Sequence, residues 1–356
     1  MLKLSYNRQM KVNRIFILLS LGAIISLNTS CVHTRSVSFN AMRPAEITMS
    51  PEIQKLLVVN RTKYDNKAKG IVEGVLTGEM PGDDRKGIEE ALITFKENTT
   101  RTSRFEVEIA KDTLSGNSVM NDFPAPISWE IIEALCKKYD SDLLIAAELF
   151  DTDFRVTSRQ ANVSISDGPI PIPKVQFHVM GDGKATIGFR IYDPVERIIV
   201  DQQLITRAHH WEASGSGLAA ARAGIVGRSE GIKYVSGMVG GAYATKIAPM
   251  PVRVTRRFYG KRKRSSVIAI GGRYGDVNQW DKAIETWEGG LPNAKRKMRG
   301  FLSLNIAVGH EVLGDLDSAI EWAQKSHVES KNKLASDYVR RLRNRVAAEQ
   351  VLDEQL

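Results

Sequence analysis

The sequence is short of cysteine: Cys31 and Cys136 are the only two in 356 residues, which excludes a scaffold stapled by disulfides. Long apolar runs are also missing. The strongest, residues 15–27, is shorter than the roughly 20 residues that a membrane-spanning helix needs. Acids are absent from residues 1–30, where Lys3, Arg8, Lys11 and Arg14 supply much of the formal charge of +9. Catalytic constellations are lacking too. Gly183-Lys184 has neither the earlier glycine nor the following Ser or Thr of a phosphate-binding loop, so it reads as a turn. His209 and His210 would point to opposite faces of a strand, with no partner at metal-ligand spacing. Cys136 sits on an apolar helix face and reads as a small core residue. Asp151-Thr152-Asp153 lacks the rest of a calcium loop and reads as a strand-end turn. No active site, cofactor site or metal site emerges. What is present, 42% hydrophobic and 26% charged residues, is ordinary for a globular chain of about two domains.

The first residues read as an address. The basic stretch, the apolar core at 15–27 and Asn28-Thr29-Ser30-Cys31 look like a bacterial lipoprotein signal, with Asn28 where an aliphatic residue is usual. On that likeness residues 1–30 are removed, Cys31 carries the acyl chains, and residues 31–50 are a lipidated tether without periodicity.

Residues 51–260 read as one α/β domain. Leu56–Val59 is a buried strand, and Ile88, Ala91, Leu92 and Phe95 follow at helical spacing. Phe105–Ile109 alternates as a strand, and Ile131, Ile132, Leu135, Cys136 and Tyr139 mark a second helix face. Leu143–Phe150 is a further buried strand. After a Pro-rich excursion at 167–173 come Val175–Met180 and Ala185–Tyr192, joined by a hairpin turn at 181–184, and then Ile198–Ile205. A Gly- and Ala-rich helix carries Ile232, Val235, Val239 and Tyr243. This order predicts a mixed β-sheet with flanking helices. The basic run from Arg253 to Arg264 reads as a solvated hinge, with a basic juxtamembrane surface as the alternative and nucleic acid disfavoured by the secretion signal.

Residues 261–356 read as an all-α unit. Trp280–Trp287 aligns with Leu316–Ala323, a spacing close to the tetratricopeptide period, with Ala283 and Ala319 at the helix–helix contact. Phe301–Leu313 lies between them and ends at Gly314-Asp315. Leu334, Tyr338, Leu342 and Val346 form the stripe of a last helix, with Arg340, Arg341, Arg343 and Arg345 largely outside it.

Arg43–Ile47, Leu57–Arg61, Ser128-Trp129, Leu135-Cys136, Phe150–Asp153 and Trp280–Ala283 together resemble an uncharacterised Bacteroidota lipoprotein family, domain of unknown function 6340, over nearly all of the mature chain. The resemblance implies an α/β domain followed by tetratricopeptide-like helices, and no activity. The α/β order is also similar to periplasmic domains of the TolB amino-terminal and curli-secretion type, an analogy of fold order only. The expectation is therefore a non-enzymatic outer-membrane lipoprotein facing the periplasm, held by Cys31 acyl chains. It would bind an envelope protein partner, not nucleic acid, through a helical face carrying Trp280, Trp287 and Trp322. The alternative is a homo-oligomeric subunit of a secretion or envelope-assembly apparatus. A hydrolase using Asp83, Asp84 and Asp151 is the remote third reading.

Overall fold

The computed structural model describes residues 33–62, 82–112, 114, 122–165, 172–260 and 266–356. The leader, Cys31, Lys261–Arg264 and most of the excursion at 167–173 lie outside the described residues. The first elements are β1 (Thr34–Arg43), β2 (Lys55–Asn60), α1 (Asp83–Thr99), β3 (Glu106–Ile109), α2 (Trp129–Tyr139), β4 (Leu143–Ile165), β5 (Ile172–Asp193) and β6 (Ile198–Gly215). They are followed by α3 (Leu218–Ala223), α4 (Arg228–Ile247), β7 (Met250–Tyr259), α5 (Val267–Asp276), α6 (Trp280–Gly289), α7 (Arg296–Leu313), α8 (Leu316–Ser330) and α9 (Lys333–Gln355). Two compact units result: residues 41–252 with 348–356, and residues 33–40 with 253–347.

The first unit holds the expected mixed sheet, in the order β3-β2-β4-β5-β6. Strand β2 is parallel to β3 and β4, and β4, β5 and β6 are antiparallel. Because β2 is covered on both sides, its run Leu56–Val59 is apolar without a break. Leu56 and Val58 face a core shared with α1 and α4, whereas Leu57 and Val59 face one shared with α2. Ile88, Ala91, Leu92 and Phe95 of α1, and Val235, Val239 and Tyr243 of α4, are all buried in the first core. Tyr243 stacks on Phe189 at 4.2 Å and donates its hydroxyl proton to Asp201 at 2.9 Å. On α2 the buried stripe is Ile132, Leu135 and Cys136, narrower than expected, and Ile131 is 45% exposed.

Three strands are longer than the sequence pattern suggested. The glycines at 181 and 183 do not turn the chain; they lie inside β5, where Gly181 pairs with Trp211 and Gly183 with His209. A Cβ on Gly183 would come within 2.9 Å of the Trp211 ring, so the missing side chain is needed for packing on the sheet. Asp151-Thr152-Asp153 likewise lies within β4 and forms no turn. The chain turns instead after Asp193, which accepts hydrogen bonds from the amides of Val195 and Glu196 at 2.8 and 3.0 Å.

The second unit is helical with a two-stranded ribbon, β1 paired with β7. This ribbon corrects two expectations, the tether at 31–50 and the hinge beginning at Arg253. Both strands alternate between partly buried and exposed residues. The inward row, however, includes Arg35 and Arg256, which masks the pattern in hydropathy. Arg35 pairs with Asp276 and lies over the Phe258 ring. Ala283 and Ala319 are fully buried, and Gly314 closes α7 at φ 90°. On α9 the stripe runs through Ala335, Tyr338 and Leu342, Leu334 is exposed, and Arg345 turns inward.

The contact of α1 with α4 is the tightest constraint in the sheet unit. A Cβ at Gly240 would fall 1.9 Å from the carbonyl oxygen of Ala91, whereas one at Gly241 meets only ordinary contacts. Gly240→Ala should therefore lower the urea midpoint, with a loss of ~1–3 kcal/mol from overpacking. Gly241→Ala, one residue along, should be neutral or stabilising by up to about 1 kcal/mol. Equal midpoints for the two variants would refute the backbone contact.

Candidate functional site

Polar chemistry in the sheet unit gathers at two places. The first is Glu148, fully buried at a β-bulge between Ala147 and Leu149 of β4. The bulge adds a residue on the α2 side of the sheet and turns the carboxylate toward the ends of β2 and β5. Arg61 Nη1 donates to Glu148 Oε1 at 3.0 Å, Arg190 Nη1 to Oε2 at 2.8 Å, and the Tyr192 hydroxyl to Oε1 at 2.7 Å. The same arginines bind the carbonyls of Ala125 and Pro124 at 2.8 and 2.7 Å, and Arg190 stacks on Phe123. Burial, and then the neighbouring Glu148, hold the Tyr192 hydroxyl above its usual value. Every group in this centre is satisfied, so it fixes the segment at 123–127 on the sheet and leaves no free nucleophile or base. Sequence reasoning missed Glu148, although one acid inside the run Leu143–Phe150 was the signal for it.

The second place is the outer side of α1 and α4, beside β6. Because Gly240 brings the helices together, a shallow groove of about 690 Å³ opens over them, lined by Glu90, Thr94 and Asn98 of α1 and by Tyr234 and Gly237 of α4. Trp211 of β6 closes one end. His209, Trp211 and Tyr234 form an edge-to-face cluster with centroids 4.5–5.6 Å apart, and Tyr234 is half exposed. His210 projects on the other face, between Asp182 at 2.7 Å and Glu212 at 3.0 Å. The Asp182 hydrogen bond, and then that of Glu212, raise the affinity of His210 for a proton. The two histidines thus point apart, as their adjacency on a strand requires. No group of three His, Cys, Asp or Glu is placed to hold a metal ion among the described residues.

The other expected residues fall as follows. Asp83 is buried beside Arg228 at 3.6 Å, and Asp84 accepts from the Thr152 hydroxyl at 2.7 Å. Asp151 precedes Thr152 in the strand and projects from the opposite face, so the hydrolase trio is not brought together. Cys136 is a free, buried thiol whose ionisation burial disfavours. Trp280 and Trp287 lie in the core of the helical unit, their indole N–H groups bound to Asn278 and to the Ile268 carbonyl. Trp322 is half-buried, with Lys325 over its ring at 4.5 Å. Of the three tryptophans, Trp322 alone offers ring surface.

The helical unit has its own centre on Glu311, again fully buried. Arg256 grips it through Nε and Nη2 at 2.7 Å each, Tyr338 donates at 2.5 Å, and Arg345 Nη1 at 3.2 Å. Part of the expected basic hinge is thereby a structural cation.

Glu148→Gln should cost ~3–5 kcal/mol in the urea unfolding of the sheet unit, because it leaves two buried arginines without their counter-charge. A loss below about 1 kcal/mol would show that the centre is solvated. Tyr192, Tyr243 and Tyr338 are held above 10.0, in each case first by burial. The folded chain then keeps protons that the unfolded chain releases, so stability should persist to about pH 10 and fall beyond it. The last part of the tyrosinate absorbance, that of these three, should accordingly rise together with loss of helical circular dichroism; full titration of all nine tyrosines before unfolding would contradict the burial.

No curated protein matches the chain. Among solved structures it is similar to two PelC dodecamers from Paraburkholderia phytofirmans, at 11% and 12% identity, covering 58% and 59% of this chain and 96% and 97% of those, with TM-scores of 0.25 and 0.23. A neuraminyllactose-binding hemagglutinin homologue from Helicobacter pylori matches at 11% identity over 56% of this chain and 86% of that one, TM-score 0.25. At such TM-scores the likeness says nothing further of assembly or ligands. Domain of unknown function (DUF6340) matches residues 269–344. The likeness expected over nearly the whole mature chain is thus confined to the helical part. Domain of unknown function (DUF8603) matches residues 53–259, more than half of the chain and the whole of the five-stranded sheet, and the protein belongs to that family.

Proposed function

We propose that the chain is a non-enzymatic lipoprotein of the cell envelope, on the outer membrane and facing the periplasm, that assembles with copies of itself through its sheet. The observation that carries this reading is β6, an 18-residue strand at the edge of the sheet with no strand on its outer side among the described residues. A long edge that presents Ile198, Ile199 and Leu204 to solvent is a template for another chain. The far edge is unlike it: β3 is short and presents Glu106 and Glu108, whereas β6 presents Arg207. Joining unlike edges head to tail propagates, and closes into a ring where the rotation allows. The aromatic cluster of His209, Trp211 and Tyr234 stands beside this edge and would add apolar area to the contact. The assembly reading is favoured over partner capture by tryptophans, because Trp280 and Trp287 are buried. Membrane attachment rests on Cys31 alone: among the described residues no helix is long and apolar enough to cross a membrane.

Sedimentation velocity on residues 32–356 should show an oligomer. Arg207→Glu and Glu108→Arg should each shift it toward monomer, and the two together should restore it. A wild-type monomer at high micromolar concentration would end the assembly reading. Separately, mass spectrometry of the envelope-purified protein should find acyl mass on Cys31, and Cys31→Ala should release the chain from membranes. Unmodified protein that stays membrane-bound would end the lipoprotein reading.

A further inference from the structure

Between the starts of α7 and α9 the helical unit has a pocket of about 530 Å³ lined by Arg296, Lys297, Phe301, Lys331, Asn332 and Lys333, together with Ser330. No acidic side chain lines it. Neither α7 nor α9 carries an acid in its first turn, where helices ordinarily place one to meet the positive end of the dipole. Here those turns carry Arg296, Lys297 and Arg299, and Lys333, so cation is added to an end that is already positive. The walls are held in place. Arg296 donates through Nε to the Glu329 carbonyl at 2.9 Å, and the Ser330 hydroxyl donates to the Arg296 carbonyl at 2.7 Å. Asn332 is 8% exposed and fixes the loop between the two lysines. Its Nδ2 donates to the Gly300 carbonyl and to Ser326 Oγ, and its Oδ1 accepts from the Tyr259 hydroxyl at 2.9 Å. Phe301 stacks on Tyr259 at 3.9 Å and gives the pocket an apolar wall, with the Lys297 ammonium 5.9 Å from its ring. The nearest carboxylate along α9, Asp337, pairs with Arg340.

We propose that this pocket binds a phosphate-bearing ligand. Four exposed cations around one cavity repel each other, screened in part by solvent, and an anion shared by them relieves that repulsion. A phosphate accepts hydrogen bonds on several oxygens, which suits a guanidinium and three ammonium groups. The backbone N–H groups at the start of α7 add donors of the same kind. The phosphate could belong to a soluble ester or to a lipid headgroup, and the two sources are separable by experiment.

The test uses the full chain with Cys31→Ala, so that acyl chains do not obscure lipid binding. Pyrophosphate binding is measured by calorimetry. Vesicle binding is measured by co-sedimentation, comparing phosphatidylcholine alone with phosphatidylcholine containing phosphatidylglycerol. Lys297→Glu with Lys333→Glu should weaken binding by about tenfold or more, with the thermal midpoint unchanged or raised. Lys111→Glu with Lys137→Glu, an equal change of charge on the sheet unit, should leave it intact. Pyrophosphate binding lost in the first pair assigns a soluble phosphate. A preference for anionic vesicles lost in that pair, without pyrophosphate binding, assigns a headgroup. Absence of both, or equal effects of the two variant pairs, overturns the proposal. A conservative pair, Lys297→Arg with Lys333→Arg, should retain binding, and its failure to do so in a folded chain would count against a charge-based site.

Discussion

Glu148 and Glu311 are each wholly shielded from water, and each is met by two arginines and a tyrosine. A buried carboxylate is tolerable only when its lone pairs are filled and its charge is answered, and both centres meet that condition. Well-packed apolar residues of similar volume could often match such a centre in stability, so net energy is a poor explanation for it. Position is a better one. The Glu148 centre ties the ends of β2 and β5 to the carbonyls of Pro124 and Ala125, elements far apart in sequence that apolar contact alone would allow to slide. The Glu311 centre likewise joins β7, α7 and α9 at a single point, because a bidentate guanidinium accepts one geometry where a leucine accepts several.

The bulge that exposes Glu148 to its partners also reverses the facing of β4 beyond it. Before the bulge, odd residues such as Ile145 and Ala147 enter the core under α1 and α4; after it, Phe150 and Phe154 take that side. An unbroken alternation would have placed Asp151 and Asp153 against α4. The bulge is thus what keeps Phe150 and Phe154 on the same side of the sheet as Ile145 and Ala147.

Much of the architecture was legible because it rests on periodicity. The faces of α1 and α4, the continuous run of β2 and the helix contacts at Ala283 and Ala319 were all readable from spacing. What escaped was encoded by residues with two meanings. Glycine at 181 and 183 signals a turn as readily as a close approach, and only the nearness of Trp211 to Gly183 decides between them. Arg35 and Arg256 hold inward positions of β1 and β7, so strands built around ion pairs read as polar linkers. Trp280 and Trp287 read as a surface because tryptophan serves interfaces and cores alike; Gly271, which a Cβ would bring within 2.3 Å of Trp287 Nε1, marks the latter as core. Glu148 was hidden by its apolar neighbours.

The sheet also divides by strand direction, and this separates stability from surface. Its parallel part, β3, β2 and the start of β4, is enclosed by helices on both sides and spends its residues on burial. The antiparallel part needs cover on one side only. There Val179, Gly181, Gly183 and Ala185 are buried while Asp182 and Lys184 are exposed, a strict alternation. The uncovered face carries Asp153, Arg155, Asp182, His210 and Glu212, several of them paired with one another. Pairing within the face keeps it wet and unreactive toward other sheets, whereas no strand among the described residues pairs with the outer edge of β6. In the assembly proposed above, contact is directed to the edge rather than the face, since among the described residues the edge is where no strand pairs and hydrogen-bonding capacity remains.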